Sequence, residues 1–404
     1  MLTSLSLVFL LGLLLAAMTS KSKLPSLLGM ILAGMVLGPY CSNLLSDSML
    51  SISTDLRQLA LVIILLRAGL ALDINDLRQI GRPAILMCFI PACFEIVGVI
   101  LIAPALLGVS ILEAAIMGAV VAAVSPAIIV PRMLKLMEKG YGEKNRIPQL
   151  IMVGASLDDV FVIVLFTSFT TLASGENIAW FTLAKIPTAI VFGMIAGFSC
   201  GTCLSTIFRR IHIRDSAKVI TLLSISCLLV TVEQAIPQSI PSSGLIAVMA
   251  TGMAILRNHR VLATRLSNKF SQLWVGAEIM LFVLVGATVD VRYALGAGAA
   301  GGLVILGSLL FRLVGVWTCL ARTVLTKKEK LFCMIAYVPK ATVQAAIGSI
   351  PLQMGLPCGK MVLTIAVLAI LITAPLGAVG IDYSYKKLLT QSTEDSSNHC
   401  VSNR

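Results

Sequence analysis

Two adjacent aspartates, Asp158 and Asp159, lie in the middle of a long apolar run of this 404-residue sequence. Carboxylate oxygens are hard ligands that can hold a small cation, and the same oxygens can take a proton. Neighbouring residues project about 100° apart on a helix, so one aspartate can face a cavity while the other meets a base on another helix. The pair predicts an ion site with Asp159 as the main ligand and Asp158 as a participant that also meets a base.

Three further ionisable residues lie near the middle of other apolar runs: Glu95, Arg312 and Lys340. An unpaired charge inside a bilayer costs at least a few kcal/mol, so these groups should face one another, the aspartates or a water-filled cavity. Two structural acid–base pairs would use four of the five groups and leave one carboxylate over. The local charge of −1, which one sodium ion or one proton would cancel, favours ion transport over purely structural pairing.

The five charges can be paired in two ways. Matching them within the core suggests Glu95 with Arg312 and Asp158 with Lys340, which leaves Asp159 for the transported ion. The reverse pairing, in which Arg312 meets Asp158, is the alternative.

Prolines interrupt two of the apolar runs near mid-membrane, AVVAAVSPAIIVP at Pro126 and AYVPKATVQAAIG at Pro339. Proline removes a backbone hydrogen bond from a helix, and the freed groups are tolerated where they line a cavity. Half-helix ends and free carbonyls of this kind bind ions in transporters. We therefore predict two broken helices, with Val124 and Ser125 supplying oxygen ligands beside the two aspartates.

The composition, with 58% hydrophobic and 12% charged residues, excludes a water-soluble fold and predicts an all-α polytopic membrane protein. About thirteen apolar runs could cross a hydrocarbon core of roughly 30 Å. They lie at about 2–18, 24–38, 56–72, 83–107, 111–131, 148–171, 180–207, 217–236, 241–257, 273–289, 294–325, 331–350 and 361–380. The two interrupted runs are the fifth and twelfth, so they cross in opposite directions. Spans 2–6 and 9–13 are therefore predicted to form inverted five-helix repeats with two crossing broken helices.

Lysine and arginine residues cluster in every second loop between these runs. Cytoplasmic loops carry an excess of basic residues, so the alternation predicts an outside N-terminus and a cytosolic C-terminus. The net charge of +12 then reflects orientation and not a nucleic-acid partner. The basic loops contain Lys21, Lys23, Arg78, Arg82, Arg132, Lys135, Lys139, Lys144, Arg146, Arg209, Arg210, Arg214, Lys218, Arg257, Arg260, Arg265, Lys269, Arg322, Lys327, Lys328, Lys330, Lys386 and Lys387, and the exceptions in other loops are Arg57, Arg292 and Lys360.

The first run is predicted to be a retained helix and not a cleaved signal peptide, because no basic region precedes it and Lys21 and Lys23 follow it. The polar tail 384–404 is predicted to be cytosolic and disordered. Ten cysteines are scattered mostly inside the apolar runs, without the spacing of a disulfide framework or a zinc site. We therefore predict no cofactor.

Three segments taken together, GASLDDVFVIVLF, VSPAIIVP and VPKATVQAAIG, resemble the cation/proton antiporter superfamily, and most closely its animal sodium/hydrogen exchanger 9B branch of NHA-type antiporters. The resemblance extends over nearly the whole chain. It implies the sodium/proton antiporter fold and a homodimer among membrane lipids. Residues 1–82 and 208–293 would form the dimerisation scaffold, 83–179 and 294–383 the ion-binding core, and 180–207 a linker helix.

The resemblance also implies elevator-like alternating access, in which Asp158 and Asp159 carry sodium or lithium ions in exchange for protons. Bacterial two-aspartate relatives typically have lysine where this sequence has Arg312, and arginine does not release a proton in a protein. With the local charge of −1, this predicts electroneutral exchange of one sodium or lithium ion for one proton, in the control of cellular pH and sodium.

Other functions stay open at this point. Nothing in the sequence fixes sodium over potassium, and loss of a proton from Lys340 would make the exchange electrogenic. An ion channel is disfavoured because the sequence has no repeated pore-filter motif. An intramembrane aspartyl protease would need its two aspartates on different helices. The plasma membrane is the expected location, with endosomal, vesicular or mitochondrial membranes as alternatives.

Overall fold

A computed structural model describes residues 1–22, 24–71, 81–173, 181–211, 213–235 and 243–391, with the backbone alone described at 160, 181–187, 189, 190, 234, 235 and 291–297. This part of the chain is almost entirely helical. In chain order the helices are α1 (Leu2–Lys21), α2 (Ser26–Leu37), α3 (Asp47–Ser51), α4 (Ser53–Ala71), α5 (Arg82–Met87), α6 (Ile90–Leu107), α7 (Ile111–Ala122), α8 (Pro126–Glu138), α9 (Ile147–Ala173), α10 (Phe181–Arg210), α11 (Asp215–Ala235), α12 (Gly244–Asn258), α13 (Arg260–Ala287), α14 (Val291–Leu320), α15 (Lys327–Ala336), α16 (Thr342–Ile347), α17 (Ile350–Gln353) and α18 (Gly359–Leu388).

Within the described ranges, nine helical segments are long and apolar enough to cross a membrane. They are Leu2–Lys21, Arg82–Leu107, Ile111–Glu138, Ile147–Ala173, Val191–Arg210, Asp215–Glu233, Arg260–Ala287, Gly298–Leu320 and Gly359–Leu388. Two shorter apolar helices, α2 and α12, accompany them. The predicted class, an all-α polytopic membrane protein, is confirmed, and each predicted apolar run coincides with described helices. The number of membrane crossings stays a prediction.

Some of the predicted charges and segments cannot be followed in the structure. Lys23, Arg78 and the tail beyond residue 391 lie outside the described residues, as does the side chain of Arg292. The predicted disorder of the tail 384–404 is wrong for its first residues, because α18 continues to Leu388 and residues 390 and 391 are hydrogen-bonded to the loop before α9. Arg57, which we predicted to be a loop charge, lies inside α4 with 1% of its side chain exposed. Its Nε donates to the Ser53 carbonyl at 3.1 Å. The correction arises because α4 begins four residues before Arg57, so the guanidinium folds back onto the first turn of the helix.

The first predicted helix break separates α7 from α8. Helix α7 ends at Ala122 and α8 begins at Pro126. Between them the backbone is extended, with φ −70° and ψ 142° at Ala123 and φ −89° and ψ 107° at Ser125. Proline is favoured at the first position of a helix, where its missing N–H has no partner to lose. Pro126 therefore starts a new half-helix and does not merely kink an existing one.

The second predicted break separates α15 from α16. Helix α15 ends at Ala336 and α16 begins at Thr342, with Pro339 and Lys340 between them. The Ser125 N–H donates to the Pro339 carbonyl at 2.9 Å, so the two breaks are in direct contact. The pair of crossing broken helices predicted from the two prolines is confirmed.

Capping boxes fix the outer ends of the two first half-helices. The Ser110 N–H donates to Glu113 Oε2 at 2.8 Å, and the Glu113 N–H donates back to Ser110 Oγ at 3.3 Å. Thr326 and Glu329 form the same reciprocal pair at the start of α15. Each box satisfies two backbone donors that a helix start leaves without partners. Both half-helices that lead into the breaks therefore have defined starting points.

Contacts divide the chain into two units. The first comprises the described parts of Met1–Ala16, Gly29–Ile74 and Ile163–Val289, and the second those of Ala17–Leu28, Asn75–Val162 and Asp290–Arg404. Both helix breaks and all five predicted mid-membrane charges belong to the second unit. The dimerisation, core and linker roles assigned from the resemblance stay predictions.

Helices of the first unit approach closely at glycines. A Cβ atom at Gly34 of α2 would overlap the carbonyl oxygen of Val283 in α13. A Cβ atom at Gly69 of α4 would likewise overlap the carbonyl oxygen of Met249 in α12. Small residues of this kind let helix backbones pack against one another within a membrane. Backbone contact therefore fixes α2 and α4 within this unit.

The end of α18 is fastened to the loop that leads into α9. Tyr141 and Gln391 form an isolated antiparallel bridge. The Gly142 N–H donates to the Thr390 carbonyl at 2.9 Å, and Gln391 Nε2 donates to the Lys139 carbonyl at 3.1 Å. We call this set of contacts the terminal clasp. It ties residues 390 and 391 to the segment just before the helix that carries Asp158 and Asp159.

Candidate functional site

Five buried ionisable side chains of the second unit form the candidate site. Glu95 lies on α6, Asp158 and Asp159 on α9, Arg312 on α14, and Lys340 in the break between α15 and α16. Asp159 is 6% exposed and the other four are 0% exposed. Charges at this depth are stable only when they are paired or bind an ion, so their arrangement decides what the site can do.

Four of the five groups form one continuous ion-pair network. Arg312 Nη1 lies 2.9 Å from Glu95 Oε2, and Arg312 Nη2 lies 2.8 Å from Asp158 Oδ2. Lys340 Nζ lies 2.7 Å from the same Glu95 Oε2. Two acids and two bases therefore neutralise one another within contact distance.

The predicted pairing is right in one half and wrong in the other. The Glu95–Arg312 pair is present, but Lys340 pairs with Glu95 and not with Asp158, whose partner is Arg312. The reason is the shape of the guanidinium, which presents donors at two ends and so bridges two carboxylates. The prediction assumed that each base pairs with a single acid, whereas Arg312 contacts two acids and Glu95 contacts two bases.

Asp159 is the acid outside the network. Within the part of the chain that the structure describes, it makes no ion pair, and its Oδ1 has no hydrogen-bond partner. Its carboxylate neighbours the Asp158 and Arg312 charges without contacting a base of its own. The four paired groups sum to zero, so an ionised Asp159 gives the site a formal charge of −1.

The break between α7 and α8 reaches the network through its backbone. The Val124 N–H donates to Asp158 Oδ2 at 3.0 Å. Ser125 is fully buried, and its Oγ has no partner among the described residues. The structure therefore places both predicted ligands at the break and shows Val124 donating to an aspartate. Their role as oxygen ligands stays a prediction.

Tyr337 supports Arg312 and was not identified from the sequence. Its carbonyl accepts a hydrogen bond from Arg312 Nε at 3.0 Å, and its ring centroid lies 5.5 Å from the guanidinium carbon. Gly154, one turn before Asp158 on α9, leaves room for the tyrosine hydroxyl, which a Cβ atom there would overlap. A backbone acceptor of this kind has no signature in a sequence.

Gln344 is a second site residue that the sequence reasoning missed. It lies on α16 with 1% of its side chain exposed, and its Nε2 donates to the carbonyls of Val121 and Ala123. One signal is available in the sequence, because a glutamine lies five residues after Pro339 within a predicted membrane span. Lys340 is also held, since its backbone N–H donates to Thr373 Oγ1 at 3.1 Å.

Buried oxygen atoms without hydrogen-bond partners are concentrated at the site. Ten such side-chain atoms occur in the described chain, and six belong to the five-charge cluster or to the two broken helices. These six are Glu95 Oε1, Ser125 Oγ, Asp158 Oδ1, Asp159 Oδ1, Thr342 Oγ1 and Gln344 Oε1. Buried acceptors normally have a partner, so these six oxygens are the ones left to accept a hydrogen bond or to bind a cation or a proton.

The comparisons with known proteins agree on one family. A family model described as "Sodium/hydrogen exchanger, transmembrane" matches residues 6–382. Sodium/hydrogen exchanger 9B2 of Mus musculus is 32% identical over 387 residues, covering 91% of this chain and 69% of that protein. Sodium/hydrogen exchanger 9B1 of Homo sapiens is 30% identical over 395 residues, covering 92% and 74%. The solved structure of the sodium proton antiporter MjNhaP1 from Methanocaldococcus jannaschii has a similar fold, with a TM-score of 0.83 at 20% identity over 95% of this chain and 97% of that one.

Proposed function

The chain belongs to the sodium/hydrogen exchanger family, and from that premise we propose that it exchanges sodium or lithium ions for protons at Asp159, with Asp158 taking part. One observation carries the proposal: Asp159 is buried in the second unit without an ion pair to any described residue, beside a network whose four charges cancel. A buried carboxylate in that position needs either a proton or a cation.

We propose that exchange arises because a sodium ion and a proton compete for the carboxylate of Asp159. A sodium ion on Asp159 neutralises the site, and so does a proton, but both together would give it a charge of +1. The same carboxylate oxygens accept either ligand. No group of three or more His, Cys, Asp or Glu side chains converges within the described ranges. Oxygens other than carboxylates, such as the Ser125 hydroxyl and the Val124 carbonyl, would therefore complete the coordination of the metal ion.

The charge of the empty site gives a physical reason for obligatory exchange. Moving an uncompensated carboxylate across an apolar barrier costs several kcal/mol, whereas a site loaded with a cation or a proton is neutral. We propose that residues 83–179 and 294–383 carry the loaded site in an elevator-like movement against the scaffold of a homodimer. That all five charges lie within one unit supports a site that moves as one body.

Purified protein in liposomes provides the direct test of the proposed function. We expect inward gradients of sodium or lithium to drive protons outward from the vesicles, with a choline gradient as the inactive control. The reason is that either small cation can replace the proton on Asp159. The measurement is the fluorescence of a pH-sensitive dye trapped inside the vesicles. A response to potassium alone would replace the proposal with potassium/proton exchange, and no response to any of the three cations would refute it.

The same vesicles test the ratio of ions exchanged. We expect one sodium ion for one proton, because Arg312 stays protonated and Asp159 is the one member of the five-charge cluster without an ion pair among the described residues. An imposed membrane potential should then leave the exchange equilibrium unchanged when the sodium and proton gradients are clamped. A reproducible shift of that equilibrium with potential would mean that a second proton moves, with Lys340 as its source.

The cellular setting follows from the proposed chemistry. Exchange of sodium or lithium for protons would regulate cellular pH and sodium content. The basic loops support an outside N-terminus and a cytosolic C-terminus. We propose the plasma membrane as the location, with endosomal, vesicular and mitochondrial membranes as the alternatives that imaging of the tagged chain would separate.

A further inference from the structure

Gln344 joins the two broken helices through its side-chain amide. Its Nε2 donates to the Val121 carbonyl at 3.2 Å and to the Ala123 carbonyl at 2.8 Å. The side chain is 1% exposed, and its Oε1 has no partner in the described chain. Both amide hydrogens are needed for the two carbonyls, so the nitrogen must face α7 and the oxygen must face away.

The carbonyls that Gln344 binds are those that a helix end leaves free. The last carbonyls of a helix have no intrahelical partner and carry partial negative charge. At the end of α7 three successive carbonyls are occupied: Gln344 takes those of Val121 and Ala123, and Arg312 Nη1 takes that of Ala122. Two side chains from other elements thus bind the last two carbonyls of this half-helix and the carbonyl of the residue that follows it.

One of these hydrogen bonds is made to the same peptide unit that binds Asp158. The Ala123 carbonyl and the Val124 N–H belong to the same peptide unit, which is planar and rigid. Gln344 binds the carbonyl of that unit at 2.8 Å, and Asp158 Oδ2 accepts from its N–H at 3.0 Å. Rotation of the unit would break both bonds together, so Gln344 and Asp158 constrain each other across the plane.

We propose that Gln344 is a positioning residue: by clamping the Ala123–Val124 peptide unit, it holds Asp158 in place beside Asp159 and so sets the affinity of the site for sodium. This inference rests on the proposed function. The side-chain type fits the task, because an amide supplies two donors without adding charge. A cationic donor in the same place would cancel the site charge of −1, and a carboxylate would double it.

Gln344→Glu tests the clamp because it keeps the shape of the side chain and removes its donors. At pH 8 we expect the KM for sodium to rise about tenfold, the scale of losing a buried hydrogen bond, because the loss of both donors weakens sodium binding more than the added negative charge strengthens it. A protonated glutamic acid recovers one donor, so the ratio of mutant to parent KM should fall as the pH is lowered to 6. An effect of the added charge alone would have the opposite sign, with a mutant KM below the parent value at pH 8 and a ratio that rises as the pH is lowered.

Gln149→Glu is the matched control. Gln149 belongs to the same unit and lies nine residues before Asp158 on α9, roughly 13 Å along the helix. The variant adds the same negative charge at a position outside both breaks. We expect its KM for sodium to stay within about twofold of the parent value at both pH values.

Two further measurements keep the clamp testable if Gln344→Glu does not fold. Gln344→Met has similar length and no donors, and it should show a raised KM for sodium that is independent of pH. In the parent chain, hydrogen–deuterium exchange should find the Val124 amide protected without any transported cation. A parent KM in Gln344→Met, a pH-independent ratio in Gln344→Glu, or rapid exchange at Val124 would each overturn the inference. Hydrogen–deuterium exchange at Val124 can be measured whether or not the protein transports ions. If the chain moves no cation, the proposed function is refuted, and protection of the Val124 amide still tests the clamp.

Discussion

Asp159→Asn is expected to abolish sodium- and lithium-dependent proton movement, with a loss of at least about a hundredfold in the rate at limiting sodium. Asparagine keeps the size of the side chain but carries neither a negative charge nor an exchangeable acid proton. With the other four charges cancelling, the variant site is neutral when empty, and a bound cation would give it a charge of +1. The measurement is the initial rate of dye response in proteoliposomes over a range of sodium concentrations.

Asp159→Asn should leave the fold intact, which separates lost transport from lost structure. Removing an unpaired buried charge does not remove an ion-pair partner, so the free energy of unfolding should be equal to or above that of the parent. Asp382→Asn is the matched control, because Asp382 is an exposed aspartate of α18 whose partner is Arg132. The control should transport at the parent rate. Substantial sodium-driven exchange by a folded Asp159→Asn protein would remove Asp159 from the ion site.

Arg312→Met is expected to destabilise the protein by about 3–5 kcal/mol, the scale of breaking a buried ion pair by deleting one partner. Arg312 contacts two buried carboxylates, and its loss leaves Asp158 without any base at contact distance. Glu95 keeps Lys340 at 2.7 Å, so the penalty should fall mainly on Asp158. The measurement is the free energy of unfolding of the purified protein in mixed micelles, where detergent composition drives unfolding.

An exposed ion pair supplies the control for Arg312→Met. Arg132 Nε lies 3.3 Å from Asp382 Oδ2, with side chains 23% and 55% exposed. Arg132→Met should therefore cost less than about 1 kcal/mol. Adding Asp158→Asn to Arg312→Met should recover part of the lost stability, because it removes the orphaned charge. Equal losses in Arg132→Met and Arg312→Met would show that burial does not set the strength of these pairs.

The existence of the site could be predicted from the sequence because charge and burial constrain each other. A charged side chain in an apolar run is stable only beside an opposite charge or water. The acids Glu95 and Asp158 were therefore expected to form ion pairs with the bases Arg312 and Lys340. The breaks were predictable for a similar reason, since Pro126 and a second proline remove donors that a helix needs. Both arguments use residue types and their spacing alone.

The details of pairing could not be predicted in the same way. Whether Lys340 reaches Glu95 or Asp158 depends on side-chain length and on the distances between three helices, which residue types do not encode. The Tyr337 carbonyl that accepts from Arg312 is available because α15 ends at that point. Gln344 likewise gains its partners from the carbonyls that the end of α7 exposes. These interactions arise from backbone geometry at the two breaks.

The terminal clasp gives the chain a mechanical connection between its C-terminal segment and the aspartate helix. A pulling force applied beyond residue 391 would be borne first by the Gly142–Thr390 and Lys139–Gln391 hydrogen bonds, before it reached the turns of α18. The loop that bears this force continues directly into α9 at Ile147. Tension would therefore pass along the backbone toward the helix that carries both aspartates. A protein that bound the chain beyond residue 391 would therefore transmit force to α9 through this loop, without contacting Asp158 or Asp159 directly.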